Sequence, residues 1–443
     1  MENIYNFCMK IGVFGVGYVG LTTALGFASK GHQVFAVDKD ETKIELLKQG
    51  KVPYFEPGAQ DILERHREML SFSTDPALVV READVIFICV GTPSLPDGSA
   101  DLSQVEEVAR FIAEEMQDYR LIVEKSTVPV HTAYWIKRTI NLYRKKEVPF
   151  DVVSNPEFLK EGTALSDFLH PHRIVIGAET QRAKDIMGQL YRDFKAPIIY
   201  TDVKTAEIIK HASNSFLATK ISFINMVADL CEAVGADVEM VAKGMGLDPR
   251  IGKEFLKAGV GFGGSCFPKD IKAFYRIAEE NQVDFSLLKE VERINLERPA
   301  RFSKKIKKVI WNLKGKTIGI LGLSFKPNTD DVREAPSLKI INLLLEEGAQ
   351  VKAYDPVAGG NAKRVIPSLQ LSPDPYSLSR GTNALALITE WEEFKNLDWK
   401  KIKELMETPI IFDGRNFLEG KKLASLGFEY YPVGKPPLGK RNG

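Results

Sequence analysis

Four glycines and one cysteine share the stretch Gly259-Val260-Gly261-Phe262-Gly263-Gly264-Ser265-Cys266-Phe267-Pro268-Lys269-Asp270, where an aspartate follows the cysteine at four residues. The amphipathic run Ile271, Phe274, Ile277 and Ala278 predicts that a helix begins there. Glycines allow close backbone approach to a ligand and leave a thiol accessible, and a helix N-terminus favours the nucleophilic thiolate. An isolated cysteine is more often buried and inert, so the rest of the chain must decide between the two readings.

A second constellation lies on one helical face. From Thr205 to about Val234 no proline or glycine interrupts the chain, and Leu217, Ile221, Ile224 and Ala228 recur at helical spacing. Followed backwards in steps of three and four, this stripe reaches Asn214 and Lys210. Either the stripe emerges into solvent at that end, or two donors point where an oxyanion would be held. Two carboxylates, Glu157 and Glu161, stand four apart in Ser154-Asn155-Pro156-Glu157-Phe158-Leu159-Lys160-Glu161-Gly162, facing one site or simply solvated.

The elements that must position these groups begin at Lys10–Phe14, a short buried strand followed by Gly15-Val16-Gly17-Tyr18-Val19-Gly20 and an apolar helix through Leu21, Ala24, Leu25 and Ala28. A second strand, His32–Val37, ends in Asp38, eighteen residues past Gly20. This is GxGxxG in its strand-turn-helix context: pyrophosphate approaches the helix N-terminus, and the acid accepts from a ribose 2′-hydroxyl. A carboxylate there repels a 2′-phosphate, which predicts NAD rather than NADP. Nearly continuous apolar runs at Asp84–Val90 and Arg120–Glu124 read as parallel strands buried on both faces. Thr92 and Thr127 follow them at the sheet edge where ligands bind, although both residues also suit turns or caps. Asp151–Val153 continues the sheet, and Arg173–Gly177 and Ile198–Tyr200 close it, ending the first domain near residue 202.

The last third repeats the plan without the glycine fingerprint. Lys316–Gly322 is a buried strand, a helix follows through Leu338, Ile341, Leu344 and Leu345, and Gln350–Tyr354 leads into Asp355. Ala384–Ile388 and Pro409–Phe412 extend the sheet. At its edge Lys326 and Arg333 are placed to meet phosphate or carboxylate, and Arg415 lies on the same edge. Helices are expected over Asp237–Met245 and Phe285–Ile310. The fold class is therefore α/β, with two doubly wound Rossmann-like domains joined by a long central helix. The expected divisions are 1–202, a NAD-binding domain; 203–311, a central helical domain with the cysteine loop; 312–434, a second Rossmann-like domain; and 435–443, a flexible tail.

The chain has 443 residues, 60 basic and 59 acidic, for a formal net charge of +1, and shows no long run of one sign; that argues against nucleic acid as partner. Cys8, Cys89, Cys231 and Cys266 lie far apart, which argues against a disulfide framework or a zinc ribbon, and no metal site is expected. No apolar stretch reaches membrane-spanning length and no secretory pattern is visible, so a reducing cytoplasm fits best.

Taken together, GVFGVGYVG (12–20), EKSTVPV (124–130), SNPEFLKEGTA (154–164), Lys210 with Asn214, GVGFGGSCFPKD (259–270) and SFKPNTDDVRE (324–334) resemble the UDP-glucose/GDP-mannose dehydrogenase family, in order and across nearly the whole chain. The resemblance implies oxidation of a nucleotide sugar's C6 alcohol to a carboxylate with two NAD in succession, through a thiohemiacetal and a thioester on Cys266. It gives Lys210 and Asn214 the oxyanions, and Thr127, Glu157 and Asp270 the hydrolytic water and its protons, leaving open which carboxylate is the base. It implies cofactor contacts at Gly15, Val16, Gly17, Tyr18, Val19, Asp38, Lys43, Thr92, Thr127, Glu161, Lys269 and Arg333. For the sugar nucleotide it implies Glu157, Phe158, Leu159, Lys160, Glu161, Lys210, Asn214, Phe255, Lys257, Gly261, Phe325, Lys326 and Arg415, with Arg250 reaching in from a neighbouring subunit of at least a homodimer. Family members acting on 2-acetamido sugars usually carry histidine before the cysteine; Ser265 stands there, favouring UDP-glucose, with GDP-mannose or a UDP-N-acetylhexosamine as the alternative. Two departures are local: Met1–Cys8 precedes the usual family start, and Pro171-His172-Arg173 replaces the more usual Pro-Asp-Arg.

Overall fold

The alternation of apolar strands with amphipathic helices resolves into two doubly wound sheets. A computed structural model describes residues 8–439. Among them the first sheet has eight strands: β1 (Lys10–Phe14), β2 (Gln33–Val37), β3 (Leu70–Ser73), β4 (Val85–Ile88), β5 (Arg120–Glu124), β6 (Phe150–Ser154), β7 (Ile174–Gly177) and β8 (Ile198–Thr201). Their order is β3-β2-β1-β4-β5-β6-β7-β8, parallel except where β6 meets β7. Strand order reverses between β1 and β4, creating the crevice at the C-terminal strand ends where such sheets bind ligands.

Both faces are covered. Val85 and Phe87 of β4 pack with Phe27 and Phe168 on one side, while Ile86 and Ile88 pack with Ile112 and Ile136 on the other. That division explains why β4 and β5 read as continuous apolar runs.

The second sheet comprises β9 (Thr317–Leu321), β10 (Gln350–Tyr354), β11 (Gln370–Leu371), β12 (Ala384–Leu387), β13 (Ile410–Asp413) and β14 (Glu429–Pro432), ordered β11-β10-β9-β12-β13-β14 and wholly parallel. Ala384 and Ala386 face Ile224, Ala228 and Phe302, whereas Leu385 and Leu387 face Trp391, Phe394 and Trp399. Strands β3, β11 and β14 were not expected from the sequence: all are short.

The long helix spans Val203–Val234. By compactness the chain forms two units, one running to Ser213 and including Arg276–Val283, the other containing Asn214–Tyr275 and the chain from Asp284 onward. The boundary falls within the long helix. The expected tail needs correction over its described part: Tyr430 and Leu438 exchange backbone hydrogen bonds of 2.9 Å, and Lys435 pairs with Glu239. Residues 1–7 of the N-terminal extension and 440–443 of the tail lie outside the described residues. Among the described residues, no helix is long and apolar enough to cross a membrane.

Candidate active site

The first unit's edge is shaped by its glycines. Gly15 has φ +91°, and its N–H donates to Val37 O at 2.8 Å, turning the chain sharply out of β1. A Cβ on Gly20 would lie 1.8 Å from Gly15 O, so only glycine lets helix Tyr18–Ser29 start so close to the strand. A Cβ on Gly17 would meet nothing within 4 Å, and no side chain caps that helix. Asp38 accepts from Val16 N at 2.8 Å and Asp40 N at 3.0 Å and is only half-buried. Tyr54, which sequence reasoning missed, donates to Gly17 O at 3.1 Å and packs on Tyr18 with ring centroids 4.0 Å apart. An open, uncapped helix start beside an accessible acid fits a dinucleotide's pyrophosphate and ribose. Lys43 lies 3.5 Å from Asp40, which caps its own helix, and Thr92 Oγ1 donates to Thr127 O at 2.8 Å, tying the ends of β4 and β5 together.

In the same unit Lys210 projects from the long helix, as its place on the apolar stripe implied, and its Nζ donates to Glu157 Oε1 at 2.8 Å. Both side chains are about 4% exposed. The Asn155-Pro156 segment after β6 delivers Glu157 to this position, and the carboxylate also accepts from Leu159 N. Lys210 lies 5.7 Å from the Phe158 ring centroid, and Arg173 stacks on that ring at 3.7 Å. Lys160 is exposed and pairs with Asp167, while Glu161 is half-buried.

The second unit holds the cysteine. Helix Phe267–Glu280 begins immediately after Cys266, as the amphipathic run predicted. The Cys266 thiol is partly exposed, with Sγ 3.6 Å from Ser265 Oγ. One turn on, Asp270 is fully buried and accepts from Asn214 Nδ2 at 2.6 Å, with Lys269 Nζ 3.0 Å away. The glycine loop before the thiol is pinned along its length. Asn225 Oδ1 accepts Gly259 N, Asn295 bonds both N and O of Phe262, and Arg415 donates to Gly261 O at 3.1 Å. A Cβ on Gly263 would lie 2.3 Å from Glu334 O, and one on Gly264 2.7 Å from the Phe325 ring. Asn295 and Arg298 interrupt the apolar stripe Leu288, Val291, Phe302, a signal that could have identified them from sequence.

The remaining expected residues are scattered through this unit. Phe255 adopts φ +63° and meets the Phe267 ring at 6.2 Å, Lys257 is exposed, and Lys326 lies over Phe325 at 5.5 Å. Arg250 and Arg333 each clamp a nearby aspartate, Asp248 and Asp331. The Arg250 side chain is 87% exposed.

Residues 9–195, 204–297 and 319–420 match in turn the NAD binding, central and UDP binding domain models of the UDP-glucose/GDP-mannose dehydrogenase family. The chain belongs to that family. Among family members, it is 45% identical to a UDP-glucose 6-dehydrogenase of Bacillus subtilis (strain 168) over 432 residues, 97% of this chain and 94% of that protein. It is 44% identical to one of Rhizobium meliloti (strain 1021) over 437 residues, 97% of this chain and 100% of that protein. A solved UDP-glucose dehydrogenase from Pyrobaculum islandicum superposes with TM-score 0.92 at 38% identity, covering 98% of this chain and 100% of that one.

Proposed function

We propose that this dehydrogenase oxidises UDP-glucose to UDP-glucuronate in two NAD-dependent steps, the three domains of the sequence reading serving cofactor, chemistry and sugar nucleotide in turn. The observation that carries the proposal is Cys266 at a helix start, followed one turn on by a buried Asp270 that holds Asn214. The C6 hydroxyl loses its proton and a hydride, giving an aldehyde. The Cys266 thiolate adds to that carbonyl, forming a C–S bond and an oxyanion; loss of a second hydride leaves a thioester. Water then adds, the C–S bond breaks, and the carboxylate and thiolate separate. NAD, when bound, accepts the hydride at each oxidation.

Lys210 and Asn214 stabilise the oxyanions, while Thr127, Glu157 and Asp270 handle the water and its protons. Gly15, Val16, Gly17, Tyr18, Val19, Asp38, Lys43, Thr92, Glu161, Lys269 and Arg333 serve the cofactor. Phe158, Leu159, Lys160, Phe255, Lys257, Gly261, Phe325, Lys326 and Arg415 serve the sugar nucleotide. Arg250, exposed in one chain, acts on a partner subunit's substrate in a homodimer; the exposed Phe216, Phe223, Met226 and Leu230 on the long helix support such an association. A cytoplasmic setting supplies the NAD and keeps the thiol reduced.

The test is the NADH formed per mole of limiting UDP-glucose, run beside GDP-mannose and UDP-N-acetylglucosamine. Two equivalents from UDP-glucose alone are expected, and Cys266→Ala should lose the uronate. One equivalent sinks the role of Cys266; two equivalents from another sugar keep the chemistry and change the substrate.

A further inference from the structure

The motif Glu124-Lys125-Ser126-Thr127 contains a lysine that the chemistry above does not use. Lys125, at the end of β5, is 4% exposed. Its Nζ donates to Asn155 Oδ1 at 3.0 Å and approaches Asn155 O at 3.5 Å; Phe87 and Phe168 rings stand 5.9 and 6.0 Å away. Asn155 is in turn fixed on every side: Tyr191 Oη donates to its Oδ1 at 2.6 Å, its Nδ2 donates to Val175 O, and its N–H donates to Glu124 O. Two residues on comes Glu157, which lines the same pocket as Lys125.

We propose that Lys125 is a positioning residue: it anchors the Asn155-Pro156-Glu157 segment and sets a second positive charge behind the Glu157–Lys210 pair. The inference rests on the proposed roles of Glu157 and Lys210. Its logic is charge balance. One carboxylate facing one ammonium is neutral and leaves Lys210 little field to offer a developing oxyanion. Lys125, lining the same pocket, adds a second ammonium and leaves the group one positive charge in excess, in a buried site where water screens weakly.

Burial lowers the pKa of Lys125 to about 8, outweighing the Glu157 carboxylate, which favours its charge; Lys210 opposes that charge as well. Burial also pushes the Cys89 thiol up to about 12, so Cys89 supplies no compensating anion near neutral pH.

The experiment compares parent, Lys125→Met and Lys125→Arg in kcat and KM from pH 6 to 10. Lys125→Met should lose about tenfold or more in kcat, with KM for UDP-glucose within about twofold. The parent's kcat should fall as pH rises through about 8. That limb should be absent in both variants, and Lys125→Arg should recover part of the rate. A folded Lys125→Met with parental kcat overturns the proposal, as do two equally slow variants that both keep the limb. Should Lys125→Met not fold, Asn155→Asp cancels the charge with Lys125 in place and should slow kcat similarly; a parental rate overturns the idea. Failure of the functional reading looks different, because the parent itself then forms no NADH from UDP-glucose. The comparison in that case uses stability: a native lysine that loses its proton near 8, against about 10.4 unfolded, makes the parent gain stability as pH rises between those values, and Lys125→Met should not. A parent without that gain overturns the buried, titrating lysine on which the proposal stands.

Discussion

The two sheets use the same turn and put it to different ends. Gly15 after β1 and Gly322 after β9 have φ of +91° and +92°, and their N–H groups donate to Val37 O and Tyr354 O, each at 2.8 Å. The next N–H donates to the acid that ends the neighbouring strand: Val16 to Asp38 at 2.8 Å, Leu323 to Asp355 at 2.7 Å. From there they diverge. Asp38 takes one more donor and stays half-buried. Asp355 also accepts from Ser324 N and Oγ, Val357 N, Ala358 N and Trp391 Nε1, and is 8% exposed. An acid with two donors has lone pairs left for a ligand; an acid with six is a structural hub. Duplicating a sheet edge therefore does not duplicate its binding chemistry.

The largest effect should come from removing the hub. Asp355→Ala leaves six donors without their acceptor, and since each unsatisfied buried donor costs about 1–3 kcal/mol before relaxation, a net loss of about 4 kcal/mol is expected. Thermal unfolding should shift strongly downward while NAD affinity of the folded protein moves less than about twofold. A parental melting temperature would break the contrast.

Why the first edge was legible and the second only partly so follows from where each constraint resides. Glycines at fixed offsets before an apolar helix are a local signal, and so is the acid that ends the next strand. Asp355 carries the same local signal, and it is Leu323, Ser324 and Trp391, 31 to 36 positions away, that consume it. Long apolar strands were readable because both faces are buried; β3 and β11 escaped because two to four partly or wholly exposed residues carry too little pattern, and β14 because its four residues, Glu-Tyr-Tyr-Pro, lack an apolar run. Pro432 weakened the strand pattern of β14, although it sits at the end of an edge strand, where a missing donor is tolerated. The Lys210 stripe and the Glu157 carboxylate were each visible from sequence; that the two pair across 53 positions was not.

Within the first edge two glycines separate folding from binding. Gly20→Ala would drive a methyl into Gly15 O and should lower the melting temperature sharply, whereas the same change at Gly17 meets open space and should leave it within about 2 °C. Gly17→Ala should instead weaken NAD by about 10–100-fold, roughly 1.4–2.7 kcal/mol, because the methyl stands where pyrophosphate must approach. Calorimetric titration of NAD beside a thermal melt separates the two. If Gly17→Ala binds NAD normally, this turn is not the cofactor's seat.

The subtlest test is Asp38→Ala. Its half-buried carboxylate holds only Val16 N and Asp40 N, and water can replace both contacts, so the stability cost should stay near 1 kcal/mol, well below that of Asp355→Ala. The affinity effect should exceed it: losing a charged acceptor for the ribose hydroxyls costs about 1.5–3 kcal/mol, or about tenfold or more in NAD Kd. NADP should move the other way relative to NAD, because the same carboxylate repels a 2′-phosphate across a few ångströms. The decisive quantity is thus the ratio of the two dissociation constants, in which any general loosening of the edge cancels. A ratio unchanged by Asp38→Ala would make Asp38 a second, smaller Asp355, and the difference between the two edges would then have to lie in the glycines alone.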